Sequence, residues 1–472
     1  MGGQLLLRPF GPERGMPPGA DAGSGEGASM GGNARMRTDP MSFAKRPYWK
    51  FRNGRYRWQK PAGFALAYAW RRRLRATTFV AISGSVGKTT TKELLGAILA
   101  AQGPTARTPG NWNLRTTGGV PATILRTRPV HRYAVIETSI QDPGDMAPVA
   151  RLIKPDVAVM LAIKRCHTNK FRTLEAIAAE KARLLQALPP TGHAVINQDN
   201  PHIAAMARSL RCRVTRFGTG ADCDLRLLAA DSRWPDRLRL RVEADGASHA
   251  IQTRLVGTHW APTVLASLAT ARACGVPLDS AIETLNTAEP FWARMQPVTL
   301  PDSGATVLRD EWNGSVDTFE QAFKVMAEAT APRKWLVLSD FSDTMKKRRA
   351  RAKELGKRAA ELADGAVFVG DYADRSAGAA VRAGLGPERV RDVVSPAAAV
   401  EFLKGELRAG DLVLLKGQTS HHLSRVYLGL LGEVRCDRLT CPMQILCDTC
   451  SELGMAWGPE LRGLMAEPDS LV

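Results

Sequence analysis

Gly84-Ser85-Val86-Gly87-Lys88-Thr89-Thr90-Thr91-Lys92-Glu93 follows an apolar run, Thr78-Phe-Val-Ala-Ile82, and precedes a helix-like run, Leu94-Leu95-Gly96-Ala97-Ile98-Leu99. That order predicts strand, glycine turn and helix, the layout of a phosphate-binding loop. Gly84, Ser85 and Gly87 would let backbone N–H groups close around phosphate oxygens at a helix N-terminus. Lys88 would reach the terminal phosphates, the Thr89 hydroxyl would hold Mg²⁺, and Thr90 would extend the cradle. The loop is shorter than the usual G-x-x-x-x-G-K-[ST] pattern, because its first glycine is Gly84.

The chain has 472 residues, 44% hydrophobic and 24% charged, which suits several domains with cores of their own. No apolar run approaches the ~20 residues that span a bilayer, and the apolar part of Met1-Gly-Gly-Gln-Leu-Leu-Leu is too short for a secretory leader. A cytoplasmic protein is therefore expected. The net charge is +19 and unevenly placed. Between Lys45 and Arg75 there is no acidic residue, and Tyr48, Trp49, Phe51, Tyr56 and Trp58 are interleaved with the basic ones. Such an arm could stack on nucleic acid, sit on an anionic membrane or partner protein with the help of Phe64-Ala-Leu-Ala-Tyr-Ala-Trp70, or serve as a solvated surface attracting an anionic substrate. Membrane or partner contact ranks ahead of nucleic acid.

Residues 1–44 are rich in Gly, Pro, Ala and Met and predict a disordered tail, followed by the basic aromatic arm at 45–76. From 77 to 297, short apolar strands (Tyr133–Ile136, Val157–Leu161, Ala194–Ile196) alternate with helical patterns at 173–187 and 263–274. Residues 298–431 repeat the alternation with strands at Thr306–Leu308, Lys334–Leu338, Ala366–Val369 and Asp411–Leu415. The fold class is α/β: a phosphate-loop central domain with a mostly parallel sheet, then a Rossmann-like α/β domain. Residues 432–472 form a Cys-bearing tail.

Glu137, ending the strand Val135-Ile136-Glu137, stands where a phosphate-loop protein holds Mg²⁺. His167 and the helix carrying Glu180-Lys181 follow. The ordered set GSVGKTTTKELL, GNWN, GGVPATIL, VIETS, KPDVAVMLAI-x₃-H, LEAIAAEKARLL and AVINQDNP resembles the Mur ligases, ATP-dependent amide-forming enzymes of peptidoglycan precursor synthesis. The similarity runs on through Gly257-Thr-His259, Ala293-Arg294-Met295, Asp310-Glu-Trp-Asn313-x₃-Asp317, Leu338-Ser-Asp340 and Leu415-Lys416-Gly417, over about residues 77–430.

The resemblance implies that a substrate carboxylate attacks the γ-phosphate of ATP, and that an amino acid or dipeptide amine displaces phosphate from the acyl phosphate. It implies Thr89 and Glu137 on one Mg²⁺, His167 near a second, and Lys181 as a carbamoylated lysine. It sets Asn111, Asn113, Asp340 and Lys416 toward substrate, Asn313 and Asp317 toward adenine and ribose, and Arg294 at an interdomain hinge that meets ATP. Departures fall on specificity positions: Leu114-Arg-Thr-Thr-Gly118, Trp260-Ala-Pro-Thr263, Ser315-Val316 and Ser339-Asp340-Phe341. Residues 45–76 are too few for the family's uridine-binding domain. An amino-acid ligase on a non-UDP acceptor, as in folylpolyglutamate synthases or natural-product pathways, and a non-catalytic ATP-binding scaffold are the alternatives. Last, Cys436-x₄-Cys441-x₅-Cys447-x₂-Cys450 is dense enough to suggest Zn²⁺ or an iron–sulfur cluster, with unligated thiols as the alternative.

Overall fold

The computed structural model describes residues 62–455, apart from 111–112, 114–118, 165–169, 172, 342–347, 440 and 442–445. Asn111, His167, residues 1–61 and residues 456–472 therefore lie outside the described residues.

Two sheets organise the chain. The first holds β1 (Thr78–Ser83), β2 (Thr105–Arg107), β3 (Tyr133–Glu137), β4 (Val157–Met160), β5 (His193–Asn197), β6 (Arg213–Gly218), β7 (Leu225–Asp231), β8 (Arg239–Ala244) and β9 (Ala247–Gln252), in the order β2-β3-β1-β4-β5-β6-β7-β8-β9. Pairing is parallel from β2 through β7 and antiparallel from β7 to β9. The second holds β10 (Gln296–Thr299), β11 (Thr306–Arg309), β12 (Lys334–Ser339), β13 (Gly365–Val369), β14 (Val390–Val393) and β15 (Leu412–Lys416), in the order β10-β11-β15-β12-β13-β14. Only the β10–β11 pair there is antiparallel.

Strands β1, β3, β4, β13 and β15 are buried on almost every residue. Helices cover both faces of a parallel sheet, which is why these strands read as unbroken apolar runs. The expected strands form within a residue or two of the sequence reading, and the two helical patterns become Leu174–Gln186 and Ala261–Ala273. The first of these starts where the Thr173 hydroxyl accepts a hydrogen bond from the Ala176 N–H at 3.1 Å.

The β7–β9 meander departs from the expected alternation. Its strands are half-exposed, with Leu240, Val242 and Ala244 of β8 buried and the residues between them more exposed. Asp245 and Gly246 both take positive φ, 52° and 77°, in the tight turn between β8 and β9.

A helix over 62–71 fastens the end of the basic run to the first sheet. Ala67 and Leu74 are buried, and the Trp70 indole N–H donates to the Thr127 carbonyl at 2.8 Å. Arg71 donates to the carbonyls of Ile153 (2.6 Å) and Lys154 (2.8 Å) and stacks 3.7 Å from the Phe79 ring centroid. This arginine is a packing element, not part of a solvated basic face. Leu66 and Tyr68 on the same helix are exposed.

Candidate active site

β1 ends at Ser83, and the chain turns at once into the helix Lys88–Ala100. The turn requires glycine: Gly87 has φ 83°, and a Cβ on Gly84 would lie 2.9 Å from the Leu161 side chain. Ser85 ties the loop to the end of β4, its N–H donating to the Ala162 carbonyl at 2.8 Å and its hydroxyl accepting from the Lys164 N–H at 3.0 Å. The helix has no side-chain N-cap and no acidic residue in its first turn. Its N-terminal N–H groups and positive dipole end are thus left for an external anion.

Around that loop the structure gathers most of the expected side chains. Lys88 Nζ and Lys181 Nζ both donate to the Gly84 carbonyl, at 3.0 and 3.1 Å, and Lys181 is 1% exposed. The Thr89 hydroxyl donates to Glu137 Oε1 at 3.2 Å, and Asn113 Nδ2 donates to the same oxygen at 2.5 Å. Glu137 Oε2 is buried with no hydrogen-bond partner among the described residues. A buried carboxylate oxygen left open beside a threonine hydroxyl suits a hard cation such as Mg²⁺. Thr90 is buried in the first turn of the helix.

Lys92 supports this group, and motif reading alone did not single it out. It is fully buried and donates to the carbonyls of Thr108 (2.6 Å) and Gly110 (2.5 Å), while pairing with Glu93 at 2.5 Å. It thereby fixes the chain that leads to Asn113. The available signal was a second lysine one turn after Lys88 in the same helix.

The second sheet presents the ends of β11, β12 and β15 to the same region. Asn313 Oδ1 accepts from the Ser315 N–H at 3.0 Å at the start of the helix Val316–Glu328. Asp317 lies in that helix's first turn, 3.8 Å from Lys164 on the loop after β4, so one ion pair bridges the two sheets. The half-buried Arg294 guanidinium feels both Asp310 and Glu137, which partly offset the downward push of burial on its pKa. Its Nε has no partner among the described residues.

Lys416, expected on the substrate, is fully buried against Asp310 at 2.5 Å. Burial pushes the Asp310 carboxyl up and the Lys416 ammonium down, each against the pull of the other. The Met295 N–H also donates to Asp310, at 3.2 Å. Lys416 thus braces the hinge at Arg294 through Asp310. Asp340 is half-buried; burial raises its pKa, with His421 and Arg348 opposing and Asp371 adding.

His259 stands on the short turn Thr258–Trp260. Its pKa is pushed down to about 3, first by burial and then by Lys416, Lys324 and Lys164. It is a neutral packing group against Trp260, the ring centroids 4.6 Å apart.

Cys436, Cys441, Cys447 and Cys450 are free thiols, and all four line one small cavity. Among the described residues, no three His, Cys, Asp or Glu side chains already stand in metal-holding geometry. No helix among them is long and apolar enough to cross a membrane.

Residues 82–271 match the Mur ligase middle domain, and residues 293–419 match the Mur ligase glutamate ligase domain. The UDP-N-acetylmuramoyl-tripeptide–D-alanyl-D-alanine ligase of Mycobacterium tuberculosis is 30% identical over 383 residues, covering 76% of this chain and 74% of that one. A crystal structure of MurF from Acinetobacter baumannii superposes with a TM-score of 0.72 at 25% identity, over 79% of this chain and 80% of that one. Mycobacterium tuberculosis folylpolyglutamate synthase, complexed with ADP, shares the fold, with a TM-score of 0.60 at 17% identity over 79% of this chain and 94% of that one.

Proposed function

The chain belongs to the Mur ligase family, and on that premise we propose that the group around Gly84 activates a peptidoglycan-type peptide carboxylate with ATP and joins it to an amino acid or dipeptide amine. The observation that carries this reading is Glu137. Its carboxylate is fixed at Oε1 by Thr89 and Asn113 and left open at Oε2, directly beside a helix N-terminus built for phosphate.

Thr89 and Glu137 are the residues that would hold Mg²⁺, which when bound neutralises phosphate charge. The chain's own groups do the rest. Loop N–H groups and Lys88 hold the β- and γ-phosphates, so that charge spreading onto the γ-phosphoryl oxygens meets fixed donors. The acid's carboxylate oxygen attacks γ-phosphorus and ADP leaves. The amine nitrogen then attacks the acyl carbon, phosphate departs and the amine gives up a proton. Arg294, between Asp310 and Glu137, is set to add positive charge where the two domains meet.

Lys181 and Lys88 as two ammonium groups on one carbonyl oxygen repel each other at close range. Carbamoylation of Lys181 would turn one cation into an oxygen ligand and remove that repulsion. This supports the carbamate reading.

The test is phosphate release from ATP by the purified chain. Release should require both acid and amine, and Lys88→Ala should lower it by at least about a hundredfold. Activity of Lys88→Ala equal to wild type would overturn the reading. The acid is either UDP-linked, as in the name of the Mycobacterium tuberculosis relative, or free of UDP. Comparing UDP-linked and UDP-free acids in the same assay separates the two.

A further inference from the structure

The four cysteines after Gly432 take no part in the chemistry above. Among the described residues of 432–455, which pack against the second sheet, the regular structure is two short 3₁₀ turns, Cys447–Thr449 and Ser451–Leu453. Cys447, Leu453 and Met455 pack into the core of that sheet, and small segments with so little regular structure are commonly held by a metal or a disulfide as well. Four separate parts of this segment aim a thiol at one place. Cys436, Cys441, Cys447 and Cys450 line a single cavity of about 10 Å³, together with His422, Arg425 and Arg438.

Two neighbouring groups say what that cavity lacks. Arg425 is 3% exposed, and its Nε has no partner among the described residues. Among the described residues its Nη1 reaches the Cys436 carbonyl at 3.5 Å and the Cys436 sulfur at 3.7 Å, and its Nη2 the His421 carbonyl at 3.4 Å. A buried guanidinium facing neutral thiols is short of negative charge. Asp448, the acid next to Cys447, does not supply it, because its carboxylate is engaged by Arg309 at 2.6 and 2.9 Å. His422, 6% exposed and held at φ 48°, places Nδ1 3.0 Å from Cys447 Sγ. An imidazole N–H at that spot orients a thiolate in the way that groups behind a metal ligand do.

We propose that Cys436, Cys441, Cys447 and Cys450 bind one structural Zn²⁺. Binding releases four thiol protons and leaves a tetrahedral tetrathiolate of charge −2. Arg425 then faces a negative charge where it otherwise faces neutral thiols. Each Zn–S contact would be about 2.3 Å, so the four thiols, which do not yet stand in metal-holding geometry, must draw together around the cavity they line. Room for a single atom favours Zn²⁺ over a cluster of several irons and sulfides.

The experiment is metal analysis of the full chain, purified under reducing conditions from zinc-supplemented culture. The account expects about one zinc per chain, released when a mercurial blocks the thiols. Cys447→Ser should hold less than about a tenth of that, while Cys212→Ser, outside the cluster, keeps it. Replacing zinc by Co²⁺ should give the visible absorption of tetrahedral thiolate–cobalt, and Arg425→Gln should lose zinc to a chelator about tenfold or more sooner. If Cys447→Ser does not fold, mercurial release from the wild-type chain still decides. Zinc below about a tenth of an equivalent both as purified and after zinc addition, iron with sulfide in its place, or a Cys447–Cys450 disulfide in reduced protein would each overturn the proposal.

Discussion

Glu137, Lys88 and Lys181 meet at one carbonyl oxygen and one helix end, although 48 residues separate Thr89 from Glu137 and 97 separate Gly84 from Lys181. If Lys181 acts as a carbamate, Lys181→Ala should lose most activity and recover part of it when a short carboxylate is added. An activity indifferent to the substitution would remove Lys181 from the site. His259 makes a different prediction. Folded, it stays neutral down to about pH 3; unfolded, it takes up a proton below its ordinary value near 6.5. The unfolded state therefore binds more protons in acid. The stabilisation is complete above about pH 6.5 and falls by up to about 1.4 kcal/mol per unit as pH drops further. Urea titrations from pH 7 to 5 should show a shallower acid loss for His259→Gln than for wild type, and equal slopes would contradict this assignment. Lys88, Thr89 and Glu137 were legible from local pattern, because strand, glycine turn and strand-end acid are short-range signals. Arg294 and Lys416 were legible only through the family resemblance. The part Lys416 plays, bracing Asp310, depends on two strand ends meeting and has no local signature.

At the level of elements, the end of β11 is where the second sheet is tied to the cysteine segment. Arg309 bridges Glu311 and Asp448 inside the protein, and the Ser424 hydroxyl donates to Glu311 at 2.9 Å. Glu311 lies between Asp310, which holds Lys416, and the Trp312–Asn313 turn at the candidate nucleotide site. Asp448→Ala would remove two hydrogen bonds of the buried Arg309, leaving Glu311 as its remaining carboxylate, and should cost roughly 2–3 kcal/mol in chemical denaturation. A loss under about 1 kcal/mol, the range of an exposed pair, would show that the bridge is not buried in solution. Most elements were legible because strands buried on both faces are unbroken apolar runs. The β7–β9 meander was not, since its half-exposed strands lack that signal, although Asp245-Gly246 was a readable turn. The packing role of Arg71, counted with the basic arm, was not legible because its carbonyl partners lie some eighty residues away in sequence.

For the whole molecule, two mainly parallel sheets bring the carboxyl ends of β1, β3, β11, β12 and β15 toward one region, the usual place for ligands in open α/β sheets. The Lys164–Asp317 pair and Arg294 cross between the sheets there, so both halves contribute to one site. Fold class and reaction type were readable from ordered motifs spread over most of the chain; the identity of the acid was not, because the residues that differ from the family are those expected to select it. The central claim is that this site transfers the γ-phosphoryl group of ATP to a carboxylate. It is tested most directly with an acid substrate whose carboxylate carries a heavy oxygen isotope, using the muramoyl tripeptide with and without UDP and D-alanyl-D-alanine as the amine. Each phosphate released should carry one labelled oxygen from the acid, and Lys88→Ala should release none. ATP consumption with unlabelled phosphate, the oxygen coming from water, would contradict it.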